Sequence, residues 1–175
     1  MKKELEINYW LHIRKGRAKK VFEDYEGAID EYNKAINIFP HISNTFFYRG
    51  NINFILKNYN FAIQDYSEAI KGNNLLLSKQ IILEKRGMSY LFLSKYENAI
   101  ADFTQSLKIE NKSILFLMRG YSYAKRYEYD LAIKDIFKSI NIDPDILNKN
   151  KKIEKDLPLL VQASIKINLL KYFKN

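Results

Sequence analysis

Apolar positions 62, 63, 66, 69 and 70, with polar residues between them, follow the i, i+3/i+4, i+7 spacing of a helical stripe rather than the period of two that a strand requires. The same spacing returns at 28, 29, 32, 35 and 36, and again at 99, 100, 103, 106 and 107. Each of these segments follows another amphipathic segment of similar length, about 14 residues. Short polar junctions divide each pair: Glu23-Asp24, Lys57-Asn58, Ser94-Lys95 and Tyr127-Glu128. The pattern predicts helical hairpins. Pro40 and Pro144 close the second helix of the first and last hairpins, where proline ends a helix at little cost. Gly72-Asn73 predicts a left-handed cap for the second.

The hairpins are copies of one template. Gly-x8-Tyr-x2-Ala-Ile occurs at Gly16/Ala28, Gly50/Ala62, Gly87/Ala99 and Gly120/Ala132, with the alanines 34, 37 and 33 residues apart. Such a period marks a repeat array, in which each unit buries its apolar face against its neighbours. Gly50 and Ala62 fall near the middles of the two helices of one hairpin. A glycine there costs about 1 kcal/mol relative to alanine. Its recurrence predicts close backbone approach beside Tyr59 or Tyr66. A basic residue precedes each glycine and an acid lies 16 residues after it: Lys15/Glu31, Arg49/Asp65, Arg86/Asp102 and Arg119/Asp135. This predicts one recurring ion pair that belongs to the scaffold.

These residues resemble the tetratricopeptide repeat family, whose helix–turn–helix unit carries a bulky residue, Gly, Tyr, Ala, an aromatic and Pro at set offsets. The third copy reads Leu83, Gly87, Tyr90, Tyr96, Ala99, Phe103 and Ser106; the fourth reads Phe116, Gly120, Tyr123, Tyr129, Ala132, Ser139 and Pro144. The resemblance covers about residues 9–144. It implies an all-α fold, a right-handed α-solenoid of about four hairpins with a C-terminal capping helix. The array spans 1–146, in copies of about 9–42, 43–79, 80–112 and 113–146, and the cap spans 147–175. His12, Lys15 and Lys19 depart from the family's apolar preferences, so the first helix is expected to pack through Ile7, Trp10, Leu11, Ala18, Val21 and Phe22 as a modified cap. Asn53 replaces the usual Tyr in the second copy, and Leu75-Leu76-Leu77 is expected to extend the third copy's first helix by a turn. Asp156-Leu157-Pro158 reads as the start of the closing helix, which runs to about Lys171.

Composition alters this picture little. The 175 residues are 47 % apolar, enough for a core, and contain no cysteine. That suits a reducing compartment, and with no apolar run long enough to cross a bilayer the expected location is the cytoplasm. The charged N-terminal stretch does not read as a signal peptide. The net charge of +9 suggests a nucleic-acid partner until it is mapped. Residues 1–20 carry seven Lys/Arg against two Glu, residues 148–175 seven Lys against Glu154 and Asp156, and the stretch between them nets −1. The basic ends read as solubilising polar caps, with an acidic partner as the rival reading.

Functionally, the resemblance implies a non-enzymatic protein–protein interaction scaffold or adaptor, holding an extended or helical partner segment in a groove lined by the first helix of each hairpin. Projecting that face selects Trp10, Ile13, Arg17 and Lys20, then Asn44, Phe47, Asn51, Phe54, Glu84, Met88, Leu91, Ile114, Leu117, Tyr121 and Lys125. Ile13, Arg17, Tyr48, Ile81 and Lys85 stand where chaperone-binding members carry a carboxylate clamp, and do not form one. The closing helix carries a second stripe, Leu159, Ala163, Ile167 and Leu170, which with Tyr172 and Phe173 is a candidate surface for a homodimer or a partner. The sequence leaves open two alternatives, nucleic-acid association through the basic ends and self-assembly through the last helix. His12 and His41 are the only histidines, and neither has a partner at metal-ligand spacing. No catalytic residue, metal site, cofactor or membrane partner is expected.

Overall fold

The structure is a computed structural model that describes residues 2–72 and 79–172, with side chains described as far as Lys166. Its elements are α1 (Lys2–Val21), α2 (Tyr25–Ile38), α3 (Ser43–Ile55), α4 (Tyr59–Lys71), α5 (Lys79–Phe92), α6 (Tyr96–Ile109), α7 (Ser113–Lys125), α8 (Tyr129–Ile142), α9 (Ile146–Lys149), α10 (Lys151–Asp156) and α11 (Leu159–Tyr172). No strand occurs among the described residues. The fold is all-α. The chain divides into two compact units, residues 1–93 and 94–175.

The predicted polar junctions are where the chain turns. Glu23, Lys57, Ser94 and Tyr127 adopt left-handed backbone angles, with φ of 59°, 61°, 56° and 64°. At α1, the Asp24 N–H donates to the Lys19 carbonyl (2.9 Å) and the Glu23 N–H to that of Lys20 (3.1 Å), the paired bonds of a Schellman ending. The residue after each turn begins the next helix. Asp24 does so with a side-chain cap, its carboxylate accepting from the Gly27 N–H at 2.9 Å.

In the first unit, the α1–α2 and α3–α4 hairpins pack through small residues, with α5 laid against α4. A Cβ on Gly16 would stand 2.6 Å from Tyr32 Cε1, and one on Gly50 would stand 3.0 Å from Tyr66 Cε1. Tyr32, Tyr66, Ala28 and Ala62 are buried. Burial pushes the Tyr32 hydroxyl up to about 12 and raises that of Tyr66 further. In the second unit, α7 and α8 pack the same way, and Leu157, Val161 and Ile165 from the C-terminal segment join their core.

Four sequence expectations change, and a fifth falls on residues that are not described. Gly72 is extended (φ −78°, ψ 140°), not left-handed; glycine is needed there because a Cβ would collide with the Ser43 hydroxyl. Lys15 does not pair with Glu31, whose carboxylate instead meets His12 Nδ1 at 2.7 Å and Lys34 Nζ at 2.9 Å. Helix α1 buries Tyr9, Ile13 and Gly16, and leaves Ile7, Trp10, Leu11, Ala18, Val21 and Phe22 exposed. Apolar residues stand on two of its faces, and among the described residues only one of those faces is covered. The closing helix begins at Leu159, beyond Pro158, and its buried stripe is Leu157, Val161 and Ile165, with Leu160 exposed. Leu75-Leu76-Leu77 lies outside the described residues.

Candidate functional site

The projected residues belong to both units, and each unit is taken by itself. In the first unit, Phe54 near the end of α3 lies beside α5: Lys85 Nζ stands 5.4 Å from its ring centroid and the Phe92 ring 5.8 Å away. Tyr59 at the start of α4 stacks on Phe92 at 4.8 Å and 14°. Phe92 is 50 % exposed, and Asn51, Phe54, Glu84, Met88 and Leu91 are half-buried. Asn51 is oriented from beneath, its Oδ1 accepting a 2.9 Å bond from the Tyr66 hydroxyl. The result is an aromatic and aliphatic surface with a cation on it, suited to an apolar segment.

Two of the projected residues lie below this surface. Phe47 is 7 % exposed and packs against Tyr66, and Asn44 is 5 % exposed. The Asn44 Oδ1 accepts no hydrogen bond among the described residues. Arg17 is exposed on α1. Tyr59 and Phe92, both outside the projection, sit at hairpin turns, where a helical-face projection does not reach.

In the second unit, Leu117 is fully buried, while Ile114 and Tyr121 are half-buried against the same core. Tyr121 donates a short hydrogen bond to Asp156, and Lys125 Nζ meets the same carboxylate at 2.9 Å. Those two contacts, hydroxyl first, hold the Asp156 carboxyl below the usual carboxylate range. Burial raises the Tyr121 hydroxyl, and Asp156 raises it further. The chain's own C-terminal segment thus occupies the polar end of this face. Leu159 of the projected C-terminal patch is 82 % exposed. The side chains of Ile167, Leu170 and Phe173 lie outside the described residues.

The first unit also holds a cavity of about 430 Å³ whose lining includes Asn33, Arg49, Asn53, Phe61 and Asp65. Its cation is committed: Arg49 donates to Asp65 from Nε and Nη2 and to Asn33 Oδ1 at 2.6 Å. Among the described residues there is no group of three or more His, Cys, Asp or Glu able to hold a metal, and no helix long and apolar enough to cross a membrane.

Residues 82–113, most of the third copy, match the family model described as Tetratricopeptide repeat. No curated protein matches the chain in sequence. Among solved structures, a crystal structure of MamA superposes with a TM-score of 0.80 at 19 % identity, over 95 % of this chain and 88 % of that one. MamA from Desulfovibrio magneticus, residue 41 to the end, gives a TM-score of 0.77 at 12 % identity, over 96 % and 97 %. YrrB, described as a TPR protein with an unusual peptide-binding site, gives 0.70 at 15 % identity, over 78 % and 70 %. At these identities the likeness is one of fold.

Proposed function

We propose that this tetratricopeptide-repeat protein is a non-enzymatic interaction scaffold that holds an extended or helical segment of a partner protein against the first helices of its hairpins. The observation that carries the reading is the half-exposed strip on α3 and α5, where Phe54, Met88 and Leu91 stay open although the chain has a full core beneath them. Aromatic and aliphatic side chains held by packed helices offer contact area at little ordering cost, so affinity comes from complementarity to a preformed surface. The fold likeness to YrrB, described as having a peptide-binding site, supports a peptide as the ligand class. In the second unit, Ile114 is the corresponding apolar contact, while Tyr121 and Lys125 are held by Asp156. A cysteine-free sequence suits a reducing, cytoplasmic setting.

Proteins captured from the native lysate by the wild type would be compared with those captured by Asn51→Ala/Phe54→Ala/Leu91→Ala, with helicity checked by circular dichroism. Loss of a partner by the folded variant supports the reading. Persistence of every partner overturns it, and capture of nucleic acid that falls steeply with salt in both proteins points to the basic ends. The exposure of Leu159 favours self-assembly as a second reading, and a mass in solution that Leu159→Asp leaves unchanged removes it.

A further inference from the structure

We propose that the outward face of α1 docks an acidic amphipathic helix of another protein, seated where a preceding hairpin would pack. This interface is separate from the strip on α3 and α5.

The repeat itself shows what the face is shaped for. A shift of 34 residues, the spacing of Gly16 and Gly50, aligns Leu11 with Thr45, Arg14 with Tyr48, Ala18 with Ile52 and Phe22 with Leu56. On α3 this face receives the preceding hairpin. Thr45 and Ile52 are fully buried, Thr45 meets the Tyr9 hydroxyl at 2.8 Å, and Tyr48 and Leu56 pack on the cluster of Tyr9, Ala28 and Tyr32. On α1 the same face is bare: Leu11 is 44 % exposed and Phe22 83 %, with Ile7, Trp10 and Val21 beside them at 59 %, 54 % and 78 %. A shallow cavity of about 410 Å³ lies along it, lined by Lys3, Glu6, Ile7, Trp10, Leu11 and Arg14. An exposed apolar stripe of this extent marks an interaction surface.

Charge selects the occupant. Lys3, Arg14, Lys15 and Arg17 make no ion pair among the described residues, and residues 1–20 net +5. Residues 148–175 also net +5, so a second copy would bring a like charge with either of its ends. Lys15 stands at the position of Arg49, Arg86 and Arg119. Each of those reaches a side-chain oxygen on the preceding hairpin's second helix: Asn33 at 2.6 Å, Ser67 at 3.0 Å and Thr104 at 3.0 Å. A docked helix therefore places an oxygen acceptor opposite Lys15, carboxylates near Lys3, Arg14 and Arg17, and apolar residues over Leu11 and Ala18. The helix seated on the equivalent face of α3 is α2, whose Asn33 supplies the oxygen acceptor for Arg49. Residues 24–39 carry Asp24, Glu26, Asp30 and Glu31 against Lys34, net −3.

Trp10 is the chain's one tryptophan and lies on this face, so it reports docking directly. The full chain is titrated with a helix-stapled peptide of residues 24–39, and Trp10 emission is followed. The expected result is a saturable shift to shorter wavelength. It weakens by about tenfold or more for Leu11→Glu, with its folding checked by circular dichroism, and likewise for a peptide with its four acids replaced by amides. The variant Asn51→Ala/Phe54→Ala/Leu91→Ala leaves the shift unchanged, which separates this interface from the groove reading. Emission that the peptide does not move, or a shift that Leu11→Glu leaves intact, overturns the proposal. So does a shift that follows protein concentration alone, which makes a second copy the occupant. A shift on phosphatidylserine vesicles that the peptide does not compete away overturns it in favour of a membrane surface.

Discussion

Arg49 and Asp65 are joined by a forked contact: Nη2 to Oδ1 at 2.6 Å and Nε to both carboxylate oxygens at 3.1 Å. The carboxylate is almost fully buried and also accepts from Asn53 Nδ2 at 3.0 Å. The same fork recurs 16 residues apart at Arg119 and Asp135, through Nε at 2.6 Å and Nη2 at 2.9 Å. The pair ties the first helix of a hairpin to the second, and the arginine's remaining arm ties both to the hairpin before.

Removing Asp65 leaves a mostly buried guanidinium and the Asn53 amide without their acceptor. Asp65→Ala is therefore expected to cost about 3 kcal/mol, the lower end for a broken buried pair because Arg49 stays a quarter exposed. Arg49→Met/Asp65→Asn removes the stranded charge and keeps an acceptor for Asn53, so it is expected to cost less than the single change. Urea unfolding of the three proteins measures this, and equal midpoints for Asp65→Ala and the wild type contradict it.

The same residues show what a sequence reading reaches. The 16-residue spacing disclosed the forks at Arg49 and Arg119, because a helical hairpin fixes which positions face each other. It failed in the first hairpin, where His12, one turn before Lys15, reaches Glu31 instead. Periodicity placed the helices, the turns and the glycine contacts. It did not separate Phe47 and Leu117 from Phe54 and Met88, since a helical face has width and burial depends on a neighbour that periodicity does not place. It also read α1 onto the wrong side, because a helix apolar on two faces gives no rule for choosing between them.

Tyr121 and Lys125 together hold Asp156. A carboxyl whose folded value is depressed adds stability above its unfolded value, about 3.9, and loses it as the pH falls through the folded value. The latch is thus intact at neutral pH and opens only below about pH 4. Carbon-13 NMR titration should place the Asp156 midpoint below the ordinary value in the wild type and return it there in Tyr121→Phe/Lys125→Gln. Because Asp156 is more than half exposed, Asp156→Asn is expected to change global stability by at most about 1 kcal/mol.

Gly120→Ala tests the close approach of α7 and α8. The new Cβ would stand 2.9 Å from Ile136 Cγ1 and 3.1 Å from the Ala132 carbonyl oxygen, and backbone cannot move aside as a side-chain tip can. Alanine's better helix propensity returns about 1 kcal/mol, and overpacking of a buried contact costs about 1–3. Net destabilisation is expected, by about 1 kcal/mol. A thermal midpoint above that of the wild type would show that α8 gives way freely.

Lys57→Gly should act in the opposite sense. Lys57 turns the chain from α3 into α4 at φ 61°, where a side chain bearing a Cβ costs about 1–2 kcal/mol and glycine nothing. Against that relief stands the larger freedom of glycine in the unfolded chain, about 0.5–1 kcal/mol. The Lys57 side chain is exposed and makes no ion pair among the described residues, so little else is lost. The balance is a gain of roughly 0.5 kcal/mol. Lys57→Val serves as the contrast, since a β-branched residue fits this conformation worst and should destabilise. If the two variants melt at the same temperature, the left-handed angle at the turn is not what limits stability there, and the α3–α4 turn relaxes to another conformation without cost.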